Sequence, residues 1–352
     1  MITRTRAAVT AVALVAAVAL AGCTPQAPAD GGGDGGGAAG DLSSIKVALV
    51  PGGAHPYFQP WSAGAQAAVD EFGIGGFTFN ETGEWDQTKQ NSAIDSLAAQ
   101  GYTAFGIFGV SPTDINSTFE SLTSKGLSVG SIASCPAGDV NEAAFCLSTD
   151  TGEAAYLAAV ATIEAMGGAG NLVHLTGNAV DSNTQRRIEG VQKAVDETGG
   201  AVTLLQTITD IDKDLRTAQR AVADRLASKG SGIGGIVTTA YNPAVAATEA
   251  VGSSGLDIKV IGIDDDAVLL DAIRSGAITG TVVQNPWGQG YVGTWALANL
   301  QAGICTVNDP GFIVDSGSFL VTADNVDTYD DERQAKTKEI LADFQTEYLT
   351  CA

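Results

Sequence analysis

The chain has few of the residues that catalysis and metal binding usually draw on. It holds only two histidines, His55 and His174, and five cysteines with no C-x-x-C pair. A structural zinc site is therefore not expected, and no metal or cofactor is predicted. No G-x-S-x-G segment occurs, so the nucleophile elbow of a hydrolase is absent. Basic residues are also scarce, 18 Lys and Arg against 40 Asp and Glu. So acidic a chain is not expected to bind nucleic acid or an anionic membrane surface by charge. Long apolar runs are missing as well. The longest, from Ala7 to Leu20, falls short of the roughly 20 residues a spanning helix needs.

That short run is informative for another reason. Arg4 and Arg6 precede it and Leu20-Ala21-Gly22-Cys23 follows it, the order of a secretory signal ending in small residues. The Leu-Ala-Gly-Cys ending resembles the bacterial lipobox, which implies a signal peptide over 1–22 and lipidation of Cys23. Its removal takes away two arginines and no acid, leaving a net charge of −24. Residues 23–44, with GGGDGGGAAG, read as the lipid anchor and a flexible tether. Such a tether reaches roughly 25 Å. Four cysteines then remain in an oxidising compartment, Cys135, Cys146, Cys305 and Cys351, and three pairings are possible. Cys135 with Cys146 closes a short loop, and Cys305 with Cys351 would pin the C-terminal helix; this pairing is favoured.

From Ile45 onward, short β-branched runs alternate with amphipathic segments. The first set is IKVALV, FTF, AFGIF and LSVGSI, with helices near 60–72, 87–100 and 113–125. After Asp150 a helix near 152–166 leads into NLVHL, VTLLQTI, GGIVTT, IKVIGI and ITGTVVQ, with helices at 184–198, 213–228, 243–253 and 265–275 between them. This alternation predicts an α/β chain of βαβ units, with two doubly wound, parallel-sheet lobes and a ligand site outside the carboxyl ends of the strands. The loop Pro51-Gly52-Gly53-Ala54-His55-Pro56-Tyr57-Phe58 lies at such a strand exit. Its aromatic faces suit the C–H face of a sugar ring.

Several segments then follow in a family's order. The loop just described is similar to the N-P-F-F segment of ribose-binding-protein-like, type I periplasmic binding proteins. Ser111-Pro112-Thr113-Asp114, Ser148-Thr149-Asp150 and the helix Gln185-Arg186-Arg187-Ile188-Glu189-Gly190 resemble its N/S-P-x-D, S-x-D and R-x-x-G segments. Thr209-Asp210-Ile211-Asp212, Tyr241-Asn242-Pro243, Ile261-Gly262-Ile263-Asp264, Val283-Gln284-Asn285-Pro286 and Thr322-Ala323-Asp324-Asn325-Val326 continue the resemblance. It covers essentially all of 45–330. It implies two lobes joined by a three-crossover hinge near 147–150, 283–286 and 308–312. The first lobe would be 45–148 plus 285–309, and the second 149–284 plus 310–352.

The resemblance also implies the ligand set. His55, Tyr57, Phe58 and Ser111 would come from the first lobe, with Asp150 by the crossover. Asn183, Gln185, Arg187, Ile211, Tyr241, Asn242, Asp264 and Gln284 would close from the second lobe and hinge. Arg187 reads equally as a ligand or as an ion-pairing residue on its helix. Where the family has its sugar-gripping D-R this chain reads Ala133-Ser134-Cys135, Gln185 stands where a second arginine would face the ligand, and His55 replaces an asparagine. Those departures weigh against ribose and leave a deoxysugar, a polyol or another small neutral molecule.

By resemblance, the function is that of an extracytoplasmic solute-binding lipoprotein of an ABC importer, held at the cell membrane by its anchor. It would bind a sugar or polyol by hinge closure and act as a monomer with permease subunits. The alternative is a sensor handing its closed form to a chemoreceptor or histidine kinase. An enzyme is not expected: His174 lies mid-strand, where a satisfied core histidine is the ordinary reading. Asp264-Asp265-Asp266 reads as a strand end followed by a helix N-cap. Gly230-Ser231-Gly232 precedes a strand instead of following one, unlike a dinucleotide loop.

Overall fold

Two sets of strand–helix units build two six-stranded sheets in the computed structural model, which describes residues 40–229 and 232–352. The expected signal peptide, Cys23 and most of the tether lie outside the described residues. In the first lobe β1 (Lys46–Val50), α1 (Gln59–Phe72), β2 (Gly76–Phe79), α2 (Gln87–Ala99), β3 (Ala104–Ile107), α3 (Ile115–Ser124), β4 (Ser128–Ile132) and β5 (Phe145–Ser148) follow in turn. The chain then crosses into α4 (Thr151–Ala165). The second lobe continues with β6 (Gly170–Leu175), α5 (Ser182–Asp196), β7 (Val202–Ile208), α6 (Leu215–Lys229), β8 (Gly235–Thr238), α7 (Tyr241–Ser254), β9 (Lys259–Ile263), α8 (Ala267–Arg274) and β10 (Gly280–Gln284). A second crossover at Asn285 returns the chain through α9 (Pro286–Gln301) and β11 (Cys305–Val307) to β12 (Phe312–Asp315). After β13 (Ser318–Thr322) come α10 (Tyr329–Asp343) and β14 (Leu349–Cys351).

The sheet orders are β12-β5-β4-β3-β1-β2 and β13-β10-β9-β8-β6-β7. All neighbours are parallel except β13 on β10. The order reverses beside β1 in one sheet and β6 in the other, so each lobe has a switch point where a crevice opens. Central strands such as Lys46–Val50 and Lys259–Ile263 are buried on both faces, which is why their sequences are apolar without alternation. The core is divided accordingly, with helices covering both faces of the first sheet and a separate alanine- and valine-rich cluster in the second lobe.

α9 is enclosed almost all round, so its sequence carries no amphipathic period to mark it as a helix. It packs against α1 at backbone contact. A Cβ on Gly64 would lie 2.1 Å from the Trp287 carbonyl oxygen, and one on Gly290 would lie 2.4 Å from that of Trp61. Only glycine permits that approach.

The C-terminal boundaries differ from those expected. The range 310–352 was assigned to the second lobe, but β12 completes the first sheet, pairing Ile313 with Cys146. The third crossover is therefore at Ser316 and Gly317, between β12 and β13, not at 308–312. Beyond β13 the chain returns again. Ile340, Phe344 and Leu349 are buried in the first-lobe core, and β14 pairs antiparallel with β11. The physical reason is the apolar spacing Ile340, Leu341, Phe344, Tyr348, Leu349, which needs a core and finds the first lobe's. Both favoured disulfides are present, Cys135 to Cys146 and Cys305 to Cys351.

Candidate functional site

The carboxyl ends of both sheets face one interlobe cleft. On the first-lobe side, His55 caps the single turn that opens α1. Its Nδ1 accepts from the Tyr57 backbone N–H at 3.2 Å. That bond leaves Nε2 as the protonated nitrogen of the neutral ring. Nε2 lies 3.5 Å from Asp212 Oδ2, across the cleft in the second lobe. The His55 ring also meets the Tyr241 ring edge-on, at 5.7 Å. A second contact between lobes runs from Asn183 Nδ2 to the Ala133 carbonyl oxygen at 3.3 Å. Ala133 reaches the cleft through a left-handed backbone, φ 64°, at the exit of β4. The cleft is therefore closed in this structure.

Its centre is Asp264. The residue follows β9 with φ 67° and is buried. Its Oδ1 accepts from Gln284 Nε2 at 2.7 Å, and its carbonyl accepts from the Thr281 hydroxyl at 2.8 Å. Burial pushes the carboxyl up to about 7, against the opposing pull of the Gln284 bond and the Arg187 charge. Tyr57 is close to the same carboxylate. Burial, then the Asp264 charge, raises its phenol, while Gln289 and Thr149 bond it and Arg187 lowers it. Arg187 thus lies near the centre, and among the described residues it forms no salt bridge.

The hinge is polar and connected. Gln289 Oε1 accepts from Tyr57 Oη at 3.2 Å and from Trp61 Nε1 at 3.1 Å, while its amide donates to Ser316 Oγ at 2.9 Å. Ser316 Oγ is also 3.2 Å from Thr149 Oγ1. First-lobe aromatics are thereby wired to the first and third crossovers. Asn285, at the second crossover, donates to the Ser316 carbonyl at 3.2 Å and to Thr337 Oγ1 at 3.0 Å.

Of the residues expected to bind ligand, His55, Tyr57, Asn183, Arg187, Tyr241, Asp264 and Gln284 come together around the cleft, with Phe58 buried behind them. Others are turned to local work. Ser111 Oγ donates to Asp114 Oδ2 at 2.8 Å at the start of α3. Asp150 is exposed and caps α4 by accepting from Glu153 N–H at 3.0 Å. Asn242 spends its amide on Asp212, 2.7 Å from its carbonyl oxygen. Ile211 packs into the second-lobe core.

Gln185 does not reach the cleft; it is exposed and its amide bonds the Ala179 carbonyl. Helix geometry explains the exchange. Residues 183, 187 and 191 share one face of α5, whereas 185 lies about 200° round from 183. Arg187, open on the sequence between ligand and ion-pairing residue, brings one guanidinium toward the cleft, and the case against ribose from missing arginines weakens by that much.

Two residues were not anticipated. Asp212 holds the cleft edge through His55 and Asn242. Trp85, on the loop from β2 to α2, stands 6.1 Å from His55 and 5.9 Å from Phe108, both edge-on. It remains 48 % exposed, and its φ is 58°. The indole lies on Gly52 and Gly53, where a Cβ would come within 3.0 Å of it. Its position at the end of a strand beside the switch point was the available signal.

His174 is buried, as expected of a core histidine. Its Nε2 bonds Thr239 Oγ1 at 2.8 Å, while Nδ1 finds no partner. Burial, with the nearby Arg187 charge, lowers it to about 3 and keeps it neutral. Asp266 is the N-cap expected within the acidic run, accepting from Val268 N–H at 2.8 Å. Among the described residues no cluster of three potential metal ligands occurs, and no helix is long and apolar enough to cross a membrane.

Two lobes of this topology around a hinged cleft define a solute-binding architecture, and the comparisons agree. The periplasmic binding protein domain matches residues 47–304, and the chain belongs to that family. It is a family of binding proteins, not of enzymes. The ribose import binding protein RbsB of Bacillus subtilis is 28 % identical over 220 residues, 62 % of this chain and 69 % of that one. A xylitol-binding protein of Mycolicibacterium smegmatis is 25 % identical over 243 residues, 69 % of this chain and 67 % of that one. An ABC transporter solute binding protein of Burkholderia graminis in complex with D-arabinose shares the fold with a TM-score of 0.73. Its identity is 22 %, covering 82 % of this chain and 99 % of that one.

Proposed function

We propose that this protein is the extracytoplasmic solute-binding lipoprotein of an ABC importer, and that its ligand is a neutral sugar or polyol. The supporting observation is the buried Asp264, held by Gln284 and faced by Arg187, Tyr57 and His55 between the lobes. A carboxylate accepts from two neighbouring hydroxyls and a guanidinium donates to hydroxyl oxygens, while the aromatic groups cover a C–H face. A charged ligand would upset the balance of Asp264 and Arg187; a polyhydroxylated neutral one would not. The relatives that import ribose and bind xylitol support this class.

Contacts from both lobes favour the closed form, which is what a permease would receive. Cys23 would be lipidated and the tether would let a monomeric body reach permease subunits. A thermal-shift screen of residues 41–352 against pentoses, hexoses, deoxysugars, pentitols, inositols and amino acids tests the ligand class. A ligand at a hundred times its dissociation constant adds about 2.7 kcal/mol, several degrees of melting temperature. A response confined to amino acids would reject a sugar or polyol. Loss of membrane retention on Cys23→Ala tests the anchor.

A further inference from the structure

The C-terminal segment is attached to both lobes, at opposite ends of α10. Its far end belongs to the first lobe. Ile340 and Phe344 are buried there, the stacked rings of Phe312 and Tyr348 are 4.6 Å apart, and the disulfide from Cys351 to Cys305 fixes β14 to β11. Its near end grips the second lobe. Arg333 Nη1 is 3.0 Å from Asp265 Oδ2, and Tyr329 Oη donates to the same oxygen at 3.2 Å. Between the two, Thr337 Oγ1 bonds the hinge residue Asn285 at 3.0 Å.

Ion pairs elsewhere in the described residues have at least one well-exposed partner. The pair of Arg333 and Asp265, at 16 % and 23 % side-chain exposure, does not, and the contact of the His55 ring with the Asp212 carboxylate, at 13 % and 23 %, is similarly shielded. Both contacts join the lobes. A partly shielded pair of this kind costs more to break than a surface one. Asp265 also adjoins Asp264, the centre of the cleft, and Asp266 accepts from the cleft residue Tyr241 at 2.6 Å.

We propose that the segment from Tyr329 to Cys351 is a strap, a fourth connection between the lobes, which limits their opening through Arg333 and positions the turn bearing Asp264. The lobes cannot separate on this side without breaking the Arg333 contact or unwinding the first turn of α10, because the other end is covalently held. Arg333 is a positioning residue here, acting on ligand through Asp265. Charge makes this specific. Burial raises the carboxyl of Asp264 most and the Asp265 charge adds to it; Gln284, Arg187 from α5 and His55 from the first lobe lower it, and Tyr57 and Tyr241 face it as neutral phenols.

The strap rests on the two-lobe reading but not on the identity of the solute, so its test begins without ligand. Small-angle X-ray scattering of the ligand-free protein, signal peptide removed and disulfides intact, reads the opening. Arg333→Gln and the double variant Cys305→Ser/Cys351→Ser should each raise the radius of gyration, and Arg333→Lys should not. Near-UV circular dichroism verifies that each variant is folded, and Arg333→Gln leaves both disulfides in place. In the presence of whichever sugar or polyol the screen identifies, Arg333→Gln should weaken binding about tenfold near pH 7 and move the pH midpoint of binding upward. Unchanged scattering in folded Arg333→Gln overturns the strap, whatever the ligand is. A loss of affinity with an unmoved pH midpoint overturns the positioning role.

Discussion

Gln284 donates its amide to Asp264 across 2.7 Å, joining two buried side chains at the exits of neighbouring strands β9 and β10. Among the described residues the second oxygen of the carboxylate receives no hydrogen bond, which makes it the natural acceptor for a ligand hydroxyl. Asp264→Asn keeps the shape but replaces acceptor with donor. Charge-assisted bonds are worth about 1.5–3 kcal/mol, so affinity should fall about 10- to 100-fold. Calorimetric titration measures this, and retained affinity would remove Asp264 from the site.

The same carboxyl predicts a pH dependence. Its value in the folded protein is about 7, against 3.8 for the unperturbed group. Ligand hydroxyls donate to the ionised form, so affinity should rise with pH through about 7 and level off above it. Stability runs the other way. The folded state binds the proton more tightly than the unfolded chain, so this group's contribution is fully present below pH 3.8 and is lost as pH rises through 7. Asp264→Asn should therefore melt higher than the natural protein at pH 8, with the gap closing near pH 4. A gap independent of pH would contradict the shift.

Arg187 and Gln185 separate two accounts of α5. The inward guanidinium predicts that Arg187→Ala weakens binding about 10- to 100-fold, the loss of a charge-assisted bond in a closed site. The exposed Gln185→Ala should leave affinity within about twofold, as surface substitutions usually do. The reverse order, measured by the same titration, would mean the helix is rotated in the ligand-bound protein.

Trp85 should matter for ligand and little for folding. An aromatic contact contributes about 0.5–1.5 kcal/mol beyond its buried area, so Trp85→Ala should weaken binding up to roughly tenfold while Trp85→Phe loses less. Quenching of tryptophan fluorescence on ligand addition should shrink in both variants. An unchanged titration would leave the indole as packing over Gly52 and Gly53.

The disulfide from Cys135 to Cys146 ties the exit of β4 to β5 beside Ala133, the residue that accepts from Asn183. Cys135→Ser/Cys146→Ser should lower stability by about 2–3 kcal/mol, read by chemical denaturation. Intact-mass measurement without reductant should find four thiols oxidised, and free thiols would contradict the pairing.

Much of this was legible before any coordinates. Strands buried on both faces announce themselves as apolar runs, and Lys46–Val50 and Lys259–Ile263 are such runs. α9 escaped because it is buried all round and carries three glycines, so it has no polar face to set a period. The sequence placed His55, Tyr57 and Asp264 at strand exits, because an exit follows directly from the strand. It did not separate Arg187 from Gln185, and both entered the ligand set, because which face of α5 meets the cleft is decided by packing and not by the motif. Trp85 was missed because its role depends on Gly52 and Gly53, about thirty residues away.

By itself the sequence determined the βαβ alternation, the acidic balance, the signal-like start and a cysteine set compatible with export. These are local properties: period, composition and spacing. Tertiary structure decided where each end of the C-terminal segment attaches. The apolar side chains of Ile340, Phe344 and Leu349 require burial, but sequence does not say in which of two cores. Only the folded chain shows that β12 completes the first sheet, that the disulfide closes on β11, and that Arg333 meets Asp265 in the other lobe.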